Sequence, residues 1–165
     1  MQTPQRKPGK FTSLQTDPHL TESKYRELKN KLETLKNHSQ PRAIAEVKRL
    51  AEMGDFSENA AYQIAKGRLR GINRGILILE DQLKRALIIK PKTTDTVQIG
   101  STVTVLVNEK LKDYTILGSS ETDPTKGVIS HNSPIGAGLL GSKVGETEKI
   151  KVNDKIIEYR IVEIN

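Results

Sequence analysis

The sequence predicts an α+β chain: a long antiparallel α-helical hairpin, then a small antiparallel β-sheet carrying one short helix. Three features predict it. Tyr62, Ala65, Leu69, Ile72, Ile76, Leu79, Leu83 and Ala86 step by three and four in alternation, which is a heptad seam. Upstream, Tyr25, Leu28, Leu32 and Leu35 keep the same step, and Ile44, Val47 and Ala51 resume it after an interruption. Two such stripes joined by the short stretch 54–60 bury each other only by folding back antiparallel. Past residue 100 the period falls to two, with Val103, Val105 and Val107 alternating with Thr102, Thr104 and Leu106.

Taken in order, residues 1–19 read as a disordered basic tail, with Pro4, Pro8, Pro18 and Gly9 among Arg6, Lys7 and Lys10 and no periodicity. Residues 20–90 form the hairpin. Thr21 is a candidate N-cap, with Leu20 and Tyr25 placed as a hydrophobic staple. The first arm runs to about Met53, where Gly54 can end it, and Pro41 predicts a kink or short interruption over 37–41. The second arm continues to about Ile89, so each arm measures roughly 45–50 Å. Gly67, Gly71 and Gly75 recur every four residues, off the seam. Residues 91–99 are a linker, and 100–165 a second domain. Its further strands centre on Tyr114 and Ile116, Val128 to Ser130, Ile150 and Val152, and Ile157, Tyr159 and Ile161, the last after an Asn153-Asp154 hairpin turn. Ser133-Pro134 opens a short helix that stops at Gly141.

Composition narrows the chemistry. The chain has no Cys and no Trp, which excludes disulfides, thiolate chemistry and a Trp-lined pocket. His19, His38 and His131 show no ligand spacing. No signal peptide is read at the N-terminus and no apolar run nears the roughly 20 residues of a membrane span, so a cytoplasmic location is expected. Residues 1–92 hold 19 Lys and Arg against 10 Asp and Glu, whereas 93–165 hold 8 against 10. That asymmetry points to a polyanionic partner for the first half, or else to a solvated basic helix surface.

The chemistry-bearing stretch is Gly54-Asp55-Phe56-Ser57-Glu58-Asn59-Ala60, at the end of the hairpin. Asp55 and Glu58, three apart at a helix start, fit a capping box. They also fit a carboxylate pair that completes a Mg²⁺ site whose remaining ligands come from a partner, because Mg²⁺ takes hard oxygen donors and keeps much of its water. Beside them, 59–79 contain Lys66, Arg68, Arg70 and Arg74 and no acid. Lys66, Arg70 and Arg74 share a helix face that a nucleic-acid backbone would neutralise.

The run Ala51-Glu52-Met53-Gly54-Asp55-Phe56-Ser57-Glu58-Asn59-Ala60-Ala61-Tyr62 resembles the tip signature of the bacterial Gre transcript cleavage factors, GreA and GreB. A second stretch, Ile129-Ser130-His131-Asn132-Ser133-Pro134-Ile135 followed by Gly138-Leu139-Leu140-Gly141, resembles that family's C-terminal domain. The resemblance implies an FKBP-like sheet domain that docks on RNA polymerase, with Asn132, Ser133 and Pro134 in the contact loop. It implies a coiled coil inserted in the polymerase secondary channel, where Asp55 and Glu58 help hold a Mg²⁺ shared with the polymerase and promote cleavage of backtracked RNA. Lys66, Arg68, Arg70 and Arg74 would then face the nascent RNA 3′ end. On this reading the chain is a monomeric elongation factor, not itself an enzyme, with incidental non-specific DNA contact. The alternative is a channel-binding regulator that does not cleave. Ala61, often acidic in the family, and Ala137, often Arg, depart from the pattern. Whether the cleavage pattern is GreA-like or GreB-like stays open: the basic face favours GreB and the sheet motif GreA.

Overall fold

The computed structural model describes residues 17–53, 60–90 and 95–165. A two-residue strand β1 (His19–Leu20) leads into helix α1 (Glu22–Thr34), and Thr21 caps it by accepting from the Lys24 N–H at 3.2 Å. Leu20 is fully buried with Tyr25 packed beside it, as the staple requires. The first arm is then helical through a π turn (Leu35–Ser39) into α2 (Gln40–Glu52). The second arm is the single helix α3 (Ala60–Arg85).

The expected interruption at 37–41 takes a specific form. Pro41 lacks an N–H, and its ring crowds the carbonyl of Asn37 one turn back. Widening that turn relieves the crowding: the Gln40 N–H reaches the Leu35 carbonyl, and the backbone at Thr34, Leu35, Ser39 and Gln40 stays right-handed helical. The extra residue moves the apolar seam on by one. Ala43 and Leu50 are buried, and Ile44, expected in the seam, is 50 % exposed. Along α3 the seam is as expected, with Ala65, Ile76 and Leu79 buried and Tyr62, Leu69, Ile72 and Leu83 half-buried, and Ala86 just past its end is half-buried too.

Polar pairs across the arms fix their register. Lys36 pairs with Glu80, Gln40 Nε2 donates to Asn73 Oδ1 at 2.9 Å, and Arg68 meets Glu46 at 3.0 Å. Residue numbers rise on one arm as they fall on the other, which makes the pairing antiparallel. The second arm stops at Arg85, four residues before the expected Ile89, because Leu87–Ile88 leave the helix as β2 and pair in parallel with β1. The Leu87 and Ile89 amides donate to the Pro18 and Leu20 carbonyls at 2.7 and 2.8 Å. Residues 17–19, assigned from sequence to the tail, therefore belong to the base of the hairpin. Among the described residues no helix is long and apolar enough to cross a membrane.

The second half is a five-stranded sheet of order β5-β4-β3-β7-β6, built from β3 (Thr102–Val107), β4 (Lys110–Leu117), β5 (Val128–Ser130), β6 (Thr147–Val152) and β7 (Lys155–Ile164). Hairpin turns at Asn108-Glu109 and Asn153-Asp154 hold both central residues at positive φ, the geometry that matches strand twist. One pairing departs from the antiparallel expectation: β5 runs parallel to β4 after a crossover through two short 3₁₀ turns, Ser119–Glu121 and Pro124–Lys126. Val97, Val103, Val105, Ile116, Leu139, Tyr159 and Ile161 lie in one core, covered by helix α4 (Pro134–Leu139). Val97 falls in the stretch assigned to the linker, yet its amide and carbonyl are bonded to Ser142 and Gly141, so residues 96–97 are part of the sheet domain.

Candidate functional site

Residues 54–59 connect α2 to α3 in the chain, between Met53 and Ala60. Asp55, Glu58 and Gly54 lie outside the described residues. Their mounting is described: α2 ends with the Met53 N–H bonded to the Leu50 carbonyl, and α3 begins at Ala60. The base of the hairpin, at β2, is the other end of α3, about 39 Å away at 1.5 Å per residue.

The basic residues of α3 divide into two kinds. Lys66 lies over the Tyr62 ring, its ammonium 5.2 Å from the centroid. Arg68 points across the hairpin to Glu46 and belongs to the interarm register. Arg70 and Arg74 are exposed, and among the described residues no carboxylate pairs with either. The four therefore do not form one cluster. Lys66, Arg70 and Arg74 offer positive charge on one face, and Arg68 is partly neutralised on another.

In the sheet domain Asn132, Ser133 and Pro134 join β5 to α4. Ser133 is spent locally: its Oγ donates to the Ser130 carbonyl at 2.7 Å and accepts from the Gly136 N–H at 3.0 Å, capping α4. Asn132 and Pro134 are exposed on either side of it. The loop is thus held in place by the serine, with the Pro134 ring on one side and on the other the Asn132 amide, its Nδ2 3.3 Å from His131 Nε2.

Sequence reasoning missed the joint between hairpin and sheet. Thr21 gives both its N–H and its hydroxyl to the Glu121 carboxylate, the N–H bond being 2.7 Å. Asp17 Oδ2 accepts from the Ser119 N–H at 2.7 Å and the Ser119 hydroxyl at 2.9 Å, and meets His131 Nε2 at 2.8 Å. Asp17 Oδ1 accepts from the His19 N–H and meets His19 Nδ1, both at 3.0 Å. Burial pushes the Asp17 carboxyl up, but the backbone and side-chain hydrogen bonds from Ser119 and His19 outweigh it and hold the group well below the ordinary carboxyl range. No spacing advertises this cluster, because its two histidines are over a hundred residues apart. The one local signal is Asp17-Pro18-His19, where an Asp accepting from the amide two residues on is a familiar turn.

Comparison with known proteins assigns both halves. The profile for "Transcription elongation factor, N-terminal" matches residues 19–88, and that for "Transcription elongation factor, GreA/GreB, C-term" matches 91–165. Transcription elongation factor GreA of Caldanaerobacter subterraneus subsp. tengcongensis is 40% identical over 150 residues, 88% of this chain and 95% of that protein. GreA of Alkaliphilus oremlandii is 37% identical over 149 residues, 88% of this chain and 94% of its own length. Among solved structures, GreA factor homolog 1 of Thermus thermophilus is 27% identical over 88% of this chain and 97% of its own, at a TM-score of 0.41. With both halves matched and GreA relatives aligned along most of its length, the chain belongs to the GreA/GreB family of transcription elongation factors.

Proposed function

We propose that this chain binds RNA polymerase, inserts its hairpin in the secondary channel and stimulates the polymerase's own cleavage of backtracked RNA. The observation that carries this reading is the hairpin itself. Two arms locked in antiparallel register are joined in the chain by the stretch containing Asp55 and Glu58, and the second arm carries a basic face on which, among the described residues, no carboxylate partners Arg70 or Arg74. A chain so built has carboxylates to deliver.

Asp55 and Glu58 are hard oxygen donors and suit Mg²⁺, but two carboxylates are too few to hold it tightly without further ligands from the polymerase. A Mg²⁺ held jointly by Asp55, Glu58 and the polymerase would serve as one of the two ions of a two-metal hydrolysis, helping to stabilise the charge that develops as the phosphodiester is cut. Lys66, Arg70 and Arg74 attract the phosphates of the extruded RNA 3′ end, and the same face accounts for incidental non-specific DNA contact. Asn132 and Pro134 touch the polymerase, with Ser133 fixing their loop. The chain acts as a monomer and supplies groups to an active site it does not contain.

The test is a gel assay of end-labelled RNA in a stalled polymerase complex with Mg²⁺. The wild-type protein is expected to shorten the transcript, and the Asp55→Ala, Glu58→Ala double variant to lose that effect while still binding polymerase. If neither shortens the RNA and both compete with a cleaving factor, the chain is a non-cleaving channel regulator and the acids revert to a helix cap.

A further inference from the structure

We infer that Asp17, His19 and His131 form a binding site for a divalent transition-metal ion of the zinc class, which staples the base of the hairpin to the sheet domain. One ligand atom from each residue lies within 4.8 Å of the others. Two imidazoles and one carboxylate are the donor set that borderline ions such as Zn²⁺ and Co²⁺ prefer, and that Mg²⁺ does not.

The geometry is close to what such an ion needs. Ligand bonds of about 2.0–2.1 Å in a tetrahedron put neighbouring donor atoms roughly 3.2–3.5 Å apart. His19 Nδ1 and His131 Nε2 already stand 3.0 and 2.8 Å from the Asp17 oxygens. The two rings meet edge to face with centroids 4.9 Å apart, so modest ring rotations close the remaining pair. His19 is 30 % exposed on its side chain and has room to turn, whereas the Asp17 side chain is 4 % exposed and fixed. Ser119 anchors that carboxylate with two hydrogen bonds, the outer support that metal-ligating acids usually have.

Each histidine nitrogen facing Asp17 must present a lone pair to the ion. A neutral imidazole does so by carrying its proton on the other ring nitrogen. The cluster opens on a cleft lined by Pro18, Leu87 and Asn132; the Asn132 amide Nδ2 stands 3.3 Å from His131 Nε2 and would turn into the cleft when an ion and its water take the fourth position. Arg85, also on the cleft, is paired with Asp81 on α3, its Nε 3.1 Å from Oδ2. The ion would join residues on opposite sides of the joint, Asp17 and His19 before α1 and His131 after β5.

The test uses the full chain stripped of metal by a chelator. Co²⁺ should give the intense visible bands of a low-coordinate site with imidazole ligands, and Zn²⁺ should bind with a stoichiometry of one and raise Tm reversibly. His19→Gln and His131→Gln should each weaken binding at least about tenfold. His38→Gln, on the exposed π turn, should bind as wild type, as should the Asp55→Ala, Glu58→Ala variant, which separates this site from the tip and from the cleavage reading. His19→Gln changes the most exposed of the three and is expected to keep the wild-type circular dichroism. Co²⁺ bands no stronger than those of the aqua ion, or Zn²⁺ binding undiminished in a folded His19→Gln, His131→Gln variant, would overturn the site.

Discussion

At the scale of single residues, the glycines show how differently one residue type can be used. A Cβ built on Gly67 or Gly71 meets nothing within 4 Å, and one on Gly75 meets Leu35 Cδ1 at an ordinary 3.7 Å. None of the three is required by packing, and each costs helix stability through backbone entropy. Gly67→Ala and Gly71→Ala should therefore each stabilise the protein by about 0.5–1 kcal/mol, read as a higher urea midpoint at unchanged m-value. Gly136 is the opposite case. A Cβ there falls 2.1 Å from the Ser130 carbonyl oxygen, so α4 lies against β5 only because that side chain is absent. Gly136→Ala should destabilise by roughly 1–3 kcal/mol in the same assay. In the cleavage assay, Arg70→Glu should first weaken action on deeply backtracked complexes, while Arg68→Glu should also loosen the hairpin, because Arg68 meets Glu46.

At the scale of elements, the heptad seam of α3 and the alternating valines of β3 were legible because each periodicity is set by burial on one face. The seam of the first arm was legible only as far as Leu35. Beyond it, apolar spacing alone favours Ile44 and Ala51, and nothing local announces that Pro41 will be relieved by a one-residue bulge and not by a break. The two registers make opposite forecasts. Leu50→Ala should cost about 2–4 kcal/mol and Ile44→Ala less than about 1, and thermal melts of the two variants decide between them. The parallel β5 was hidden for a related reason, since its direction is set by the crossover and not by its own three residues. Thr21, Asn153-Asp154 and Ser133-Pro134 were legible because caps and turns are local chemistry. At the candidate site, Asp55 and Glu58 are a pattern of the sequence that lies outside the described residues, whereas the Asp17 cluster depends on the tertiary approach of His131 to His19.

At the scale of the whole molecule, two cores are joined by short polar contacts, Thr21 on Glu121 and Asp17 on Ser119 and His131, made beside the β1–β2 pair at the base of the hairpin. Glu121→Ala leaves the Thr21 N–H without its acceptor, while the hydroxyl keeps Ser23 Oγ at 2.9 Å, a loss of about 1–3 kcal/mol confined to the joint. Hydrogen exchange should then quicken at the Leu87 and Ile89 amides and stay unchanged in β3 and β7; uniform quickening would mean that the two halves open as one unit. The π turn carries a different consequence. Each helical residue turns the chain by about 100° about the arm's axis, so the residue count between base and tip sets the azimuth at which the tip arrives. Deleting one residue from Leu35–Ser39 would force a choice between rotating the tip and unseating Ala43 and Leu50 from α3. Single-residue deletions far from the tip, more than exchanges near it, are the changes that would misdirect it.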